Sequence, residues 1–193
     1  MTAPDQVAGL VLAAGAGRRF GGAKALAVLD GERLVDRAAG LLARAGLTPI
    51  VVVSGAAELT VPGATVVPNP LWPSGMGSSL RAGLRELSGS GAAAAVVVLV
   101  DTPWLVPAAV RRLVDQGQGA AAAVATYDGR RGHPVLLSAR VWPEVAGLAV
   151  GDVGAKAWLQ AHPDQVREVD CTGLGSPRDV DRPEDLRTRP GST

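Results

Sequence analysis

Cysteine is nearly absent from this chain. The single Cys171 among 193 residues excludes an internal disulfide, and no CxxC pair is present for zinc or thiol redox chemistry. A reducing, cytoplasmic setting is expected. Neither sign of charge is in excess: nineteen basic residues face eighteen acidic ones, a net charge of +1, too weak a field to recommend nucleic acid or an anionic membrane as partner. Long apolar runs are lacking too. The longest, Ala92 to Val100, falls well short of the roughly 20 residues of a membrane helix. Val7 to Ala14 has only Asp5 as a charge ahead of it, unlike the basic leader of a secretory signal. Lysine is the scarce cation: seventeen of the nineteen basic residues are arginine, and only Lys24 and Lys156 are lysine. A lysine that escapes such a drift toward arginine is a candidate for a compact ammonium that a planar guanidinium cannot replace.

What remains is a foldable core. The length suits one domain, 1–193, with flexible tails expected at about 1–6 and 188–193. With 47% apolar and 19% charged residues, the chain can bury a large interior. Short apolar runs at Val7–Ala13, Pro49–Ser54, Ala64–Val67, Ala94–Val100, Ala120–Thr126, Pro134–Ser138 and Gln165–Cys171 predict strands. Helical spacing predicts helices over Leu34–Ala45, Ser78–Leu87, Pro107 to about Gln116, and Asp152–Ala161, with a short one from Pro183. This alternation points to an α/β fold with a mostly parallel sheet. Ligands of such sheets bind beyond the carboxyl ends of the strands. Three polar features fall there: the glycine loop after the first strand, Asp101 after the strongest strand, and His133–Pro134 near a hairpin turning at Asp128–Gly129. Trp72, Trp104, Trp142 and Trp158 are expected in the core or in pocket walls.

The glycine loop runs from Ala14 to Ala23 and ends at Lys24. Its small residues let backbone amides approach a polyanion, and a cation completes the neutralisation. Two common phosphate motifs are excluded. GxGxxG fails because Phe20 takes the third glycine position. The P-loop fails because Ala23 separates Gly22 from Lys24 and Ala25 replaces the hydroxyl. The pattern that remains, LAAG at 12–15, RFGG at 19–22 and then Lys24, resembles the signature of the MobA-like NTP transferases.

That resemblance implies a three-layer Rossmann-like nucleotidyltransferase fold. Leu12, Ala13, Ala14 and Gly15 would face the nucleotide through their backbone, and Arg19 and Lys24 would hold its triphosphate. Asp101, in a DTP step, matches the family's strand-end aspartate for Mg²⁺, an ion that needs only one or two protein carboxylates beside phosphate oxygens and water. Read alone, such an aspartate is also a turn residue. The GMGSS segment at 75–79 resembles the base-reading segment, with Gly77 leaving room and the Ser79 hydroxyl able to bond the base edge. Ser78 or Ser79 as a helix N-cap is the alternative. Near the end, DVDRPED at 179–185 resembles the closing acidic segment, with Arg182 where the family has Thr. Asp181 is then the second metal contact, with Asp179 nearby, or else these acids only favour a helix start.

GHPV at 132–135 and GDVGAK at 151–156 resemble two acceptor-side motifs of the molybdenum cofactor cytidylyltransferase branch. They imply His133, Asp152 and Lys156 as acceptor-binding residues, Lys156 standing where that branch has arginine and so lacking its bidentate fork. The implied enzyme is a Mg²⁺-dependent nucleotidyltransferase with Arg19, Lys24 and Asp101 at its catalytic centre. It would move CMP from CTP to a phosphorylated acceptor such as molybdopterin, and a molybdoenzyme or its chaperone could receive the product. GTP or ATP as donor, and a sugar phosphate or methylerythritol phosphate as acceptor, would use the same chemistry. A nucleotide-binding accessory protein without catalysis is the reading from another class.

Overall fold

The computed structural model describes residues 6–187. The expected tails therefore lie outside the described residues except for Gln6, whose carbonyl accepts a hydrogen bond from the Ala93 amide at 2.9 Å. In chain order the elements are β1 (Val7–Leu12), a small hairpin of β2 (Val28–Leu29) and β3 (Glu32–Arg33), α1 (Leu34–Arg44), β4 (Ile50–Ser54), β5 (Thr65–Pro68), α2 (Met76–Leu87) and β6 (Ala94–Leu99). There follow α3 (Pro107–Gly117), β7 (Ala122–Tyr127), β8 (Arg130–Ser138), α4 (Trp142–Leu148), α5 (Lys156–Ala161) and β9 (Val166–Asp170). Seven strands form one sheet in the order β5-β4-β1-β6-β8-β7-β9. Only β8 is antiparallel to its neighbours.

The continuous apolar runs are explained by helices on both faces, so both sides of each central strand are buried. From β1 Val11, and just past its end Ala13, enter the layer formed with Leu34, Leu42 and Leu113 of α1 and α3. Ala8, Leu10 and Leu12 enter the opposite layer, with Leu80 and Leu84 of α2 and Trp142 and Trp158 of α4 and α5. The fold class read from the sequence is the one observed. Among the described residues no helix is long and apolar enough to cross a membrane.

Three local differences have physical causes. The β2–β3 hairpin escapes the sequence reading because strands of two residues show no periodicity; its turn is Asp30–Gly31, both at positive φ. The helix expected from Asp152 begins only at Lys156, because Gly151 and Gly154 take φ of +58° and +55° and hold the intervening residues in a loop. Helix α4 is not among the helices read from the sequence; Trp142 is 4% exposed and Val145 fully buried, and this packing, not propensity, sets the helix.

The site follows from the topology. From β1 the chain crosses through α1 to β4 on one side, and later through α2 to β6 on the other. The gap between the carboxyl ends of β1 and β6 is thus the switch point of the sheet, where α/β sheets open a crevice.

Candidate active site

At that switch point Lys24 joins two carboxylates. Its Nζ donates to Asp101 Oδ2 at 3.0 Å and to Asp181 Oδ1 at 2.8 Å. Asp101 follows β6 in a turn closed by Thr102, whose hydroxyl and amide both donate to the Leu99 carbonyl. The Val180 amide donates to the Asp101 carbonyl at 2.8 Å, which draws the 179–181 segment to the strand end. Asp185 fixes the backbone there by accepting from the Asp181 and Arg182 amides at 3.0 and 2.8 Å. Asp179 is exposed, so Asp181 is the acid that reaches Lys24. Burial alone would lower the Lys24 pKa, but the hydrogen bonds it donates to Asp181 and Asp101, with their negative charges, outweigh it and hold the ammonium above its ordinary range. The Lys24 hydrogen bond likewise keeps the Asp181 carboxyl below its ordinary range.

The opposite wall is the glycine loop. Gly17 has φ +59°, and its carbonyl accepts from the amides of Phe20, Gly21 and Gly22 at 2.8, 2.9 and 3.3 Å. A Cβ there would sit 2.0 Å from the Gly22 carbonyl oxygen, so this closed turn requires glycine. With those three amides engaged, the free donors lie earlier. Among the described residues, the amides of Gly15, Ala16, Gly17 and Arg18 donate to no protein acceptor, and all four residues line a cleft of about 420 Å³ together with Lys24 and Asp101. Successive free amides beside an ammonium form an anion-binding concavity.

The third wall is the N-terminus of α2. Ser79, 4% exposed, lines the cleft; its Oγ accepts from Asn69 Nδ2 at 3.1 Å, which leaves its proton available to a ligand. Asn69 Nδ2 also donates to Ser78 Oγ at 2.9 Å. Ser78 in turn donates toward the Leu71 and Gly75 carbonyls and secures the helix start from outside the cleft. Trp72 and Met76 supply flat and pliant walls.

A second cavity of about 430 Å³ adjoins the first, sharing Leu12, Met76, Leu99 and Asp152 with it. Its floor is apolar, with Leu80, Val97, Val124 and Val135, and His133 and Lys156 stand in its wall. The His133 Nδ1 lies 3.3 Å from the Val97 carbonyl, a contact that needs the proton on Nδ1 and leaves Nε2 as an acceptor. Burial depresses the His133 pKa, so the ring is neutral at pH 7. Asp152 Oδ1 accepts the Met76 amide at 3.3 Å, which caps α2 from the loop between the two cavities. Arg131 is paired with Glu168 at 2.7 Å, whereas Lys156 is exposed and pairs with no carboxylate among the described residues.

The model for the MobA-like NTP transferase domain matches residues 9–166. The chain belongs to that family. It is 37% identical over 194 residues to the nicotine blue oxidoreductase of Paenarthrobacter nicotinovorans, spanning 93% of this chain and 94% of that one. It is 34% identical over 192 residues to the molybdenum cofactor guanylyltransferase of Rhodobacter capsulatus, spanning 93% and 96%. The crystal structure of Rv0371c from Mycobacterium tuberculosis superposes with a TM-score of 0.81 at 30% identity, over 96% of this chain and 97% of that one. The manganese complex of the same protein superposes with a TM-score of 0.76 at 28% identity and the same coverage.

Within this MobA-like frame the residues expected from the sequence divide. Lys24, Asp101 and Asp181 converge on one point; Leu12, Ala14, Gly15 and Ser79 line the first cavity; His133 and Lys156 line the second, with Asp152 between them. Ala13 is not placed to use its amide, which donates to the Val53 carbonyl at 3.0 Å and extends the β1–β4 pairing. Gly77 lies outside the cleft: its amide donates to the Gly151 carbonyl at 2.8 Å, and a Cβ would meet the Ala149 carbonyl oxygen at 2.4 Å. It serves close packing of α2 on the 149–151 loop. Arg19 points outward, 82% exposed and 3.8 Å from Asp181, while Arg18 lines the cleft.

Two contributors were not singled out from the sequence. Asn69 organises both serines, and Asp185 organises Asp181. An asparagine between two prolines just past a strand was the available signal for the first; a helix-start acid was the signal for the second.

The carboxylate pair fits a hard divalent cation. Asp101 Oδ1 is buried with no hydrogen-bond partner, an arrangement that is costly unless a ligand completes it. Among the described residues no cluster of three or more His, Cys, Asp or Glu could hold a metal. Two carboxylates are enough for a hard divalent cation that completes its shell with water and phosphate oxygens.

Proposed function

We propose that this chain is a divalent-cation-dependent nucleotidyltransferase that moves a nucleoside monophosphate from a nucleoside triphosphate to a phosphorylated acceptor and releases pyrophosphate. The observation that carries this reading is the convergence of Lys24, Asp101 and Asp181 opposite a loop of free amides. The amides of residues 15–18 would bind the phosphates, Lys24 and the two arginines before Phe20 would neutralise them, and the Ser79 hydroxyl would donate to the base. An acceptor phosphate oxygen forms its bond to the α-phosphorus as the bond to the β-phosphate oxygen breaks. Asp101 and Asp181 would hold the cation, Mg²⁺ in this reading, which screens charge passing to the leaving pyrophosphate. Lys156 would hold the acceptor's phosphate over the second cavity, and His133 Nε2 would accept a hydrogen bond from its ring.

The apolar floor of that cavity suits a flat heterocycle such as a pterin better than a sugar, which favours a molybdopterin acceptor. Relatives named for guanylyl transfer favour GTP as donor over the CTP expected from the motifs. The test is incubation with each nucleoside triphosphate, Mg²⁺ and molybdopterin, with pyrophosphate release and product mass as readouts. A guanylyl adduct is expected. Failure to release pyrophosphate with every donor would remove the reading.

A second reading is favoured by the relative named for an oxidoreductase activity together with the apolar second cavity, which also suits a reducible aromatic compound. In that case the cleft would hold a reduced dinucleotide. Consumption of reduced nicotinamide with a quinonoid dye, without pyrophosphate release in the assay above, would establish it.

A further inference from the structure

We propose that Lys24 plugs the cation position: in the free protein its ammonium and a divalent ion exclude each other between Asp101 and Asp181. Two of the three Nζ hydrogens point at Asp101 Oδ2 and Asp181 Oδ1, at 3.0 and 2.8 Å. The Lys24 side chain is only 14% exposed, so the ammonium sits in the junction of the two acids and not at its rim. A divalent ion held by both acids would compete with the ammonium for the same pair of carboxylates, since it too needs their negative charge. An ion shared by Asp101 and Asp181 would have to enter the junction that the ammonium fills. With Lys24 between the acids and Arg19 3.8 Å from Asp181, the two negative charges are already matched by two positive ones. The free protein therefore offers a lone cation little net attraction, although Asp101 Oδ1 is buried and unpaired.

An exit for the ammonium is present. Lys24 also lines the cleft beside the free amides of residues 15–18, where an anion would draw the side chain off the carboxylates. The inference rests on the nucleotidyl-transfer reading only in naming a triphosphate as that anion. Cation and nucleotide binding are then coupled, each favouring the other by the same factor, and the protein avoids loading metal without its phosphate partner. A lysine can do this because it is a compact charge on a flexible stem.

Both tests omit nucleotide, so they can fail independently of the pyrophosphate assay. In the first, binding of Mn²⁺ alone is measured from the paramagnetic resonance of the free ion. Lys24→Met should bind Mn²⁺ at least tenfold more tightly than the native protein, Lys24→Arg should stay as weak as native, and Asp101→Asn added to Lys24→Met should abolish the gain. Equal or weaker binding by Lys24→Met overturns the proposal. The second test needs no variant, because the chain has just two lysines. An amine-reactive ester should label exposed Lys156 quickly and Lys24 slowly. Saturating Mg²⁺ should speed labelling of Lys24 several-fold and leave Lys156 unchanged; a Lys24 rate that Mg²⁺ leaves alone or lowers overturns it.

Discussion

The Lys24 ammonium meets the Asp181 carboxylate at 2.8 Å although 157 positions separate them in the chain. The C-terminal segment is thus tied to the first loop by charge, and the tie has a pH signature. The Lys24 hydrogen bond depresses the Asp181 pKa below its ordinary 3.8, so its stabilising effect is present above pH 3.8 and is lost as pH falls through the folded value. Lys24, held above its ordinary 10.5, contributes below pH 10.5 and loses its contribution as pH rises through the folded value. Asp181→Asn should therefore lower the urea midpoint between those limits, and the gap from native should close on acidification below pH 3.8. A gap that persists at lower pH would show that the pair does not act as described.

Asn69 should matter to both stability and base selection. It is 5% exposed, donates to two serine hydroxyls, and accepts the Leu71 amide at 3.0 Å. Asn69→Ala strips three bonds, two of them to buried serine hydroxyls, which costs about 1–3 kcal/mol. It also frees the Ser79 hydroxyl to rotate. Thermal melting should drop, and the variant's thermal shifts with the four nucleotides should become more alike. Unaltered discrimination would detach Ser79 from base recognition.

The sheet was legible because its central strands are buried on both faces and so read as unbroken apolar runs; Val96 and Val98 face one helix layer, and Ala95 and Val97 the other. The ligand end was legible for a different reason. Lys24, Asp101 and Asp181 are polar groups placed just past apolar strands or in motifs, where packing alone does not ask for them. Less could be read where tertiary contacts decide. Nothing local says that the Ala13 amide turns to Val53 while the Gly15 amide stays free, because that depends on where β4 stops. Gly77 stood in a motif that fits base recognition, yet its small size is set by the Ala149 carbonyl above it. Of two adjacent arginines, only the turn around Gly17 determines that Arg18 faces the cleft and Arg19 faces Asp181.

His133 supplies a second pH dependence, of opposite origin. Burial depresses its pKa, and the Val97 carbonyl bond and the Asp101 charge only partly offset the effect. Below pH 6.5, the ordinary value, the unfolded chain binds a proton that the folded chain refuses, so stability falls as pH drops from that point. Urea midpoints of native protein should decline from pH 6.5 downward more steeply than those of His133→Phe. Parallel profiles would mean that the ring protonates freely in the folded protein.

The loop allows stability and binding to be separated within three residues. At Gly17, φ +59° and a Cβ only 2.0 Å from the Gly22 carbonyl oxygen make Gly17→Ala strained twice over, by about 1–3 kcal/mol for the backbone alone. The turn that presents the free amides should open, and both melting temperature and nucleotide affinity should fall. At Gly15 an added Cβ meets no atom within 4 Å, and the residue has no positive φ, so Gly15→Ala should melt like the native protein. Yet Gly15 lines the cleft, and a methyl there keeps a phosphate from approaching its amide, which should weaken nucleotide binding on the order of tenfold. Calorimetry and nucleotide titration of the two variants decide the point. If Gly15→Ala binds as tightly as native, phosphates do not approach the loop at this residue, and the free amides of Ala16, Gly17 and Arg18 must carry the contact instead.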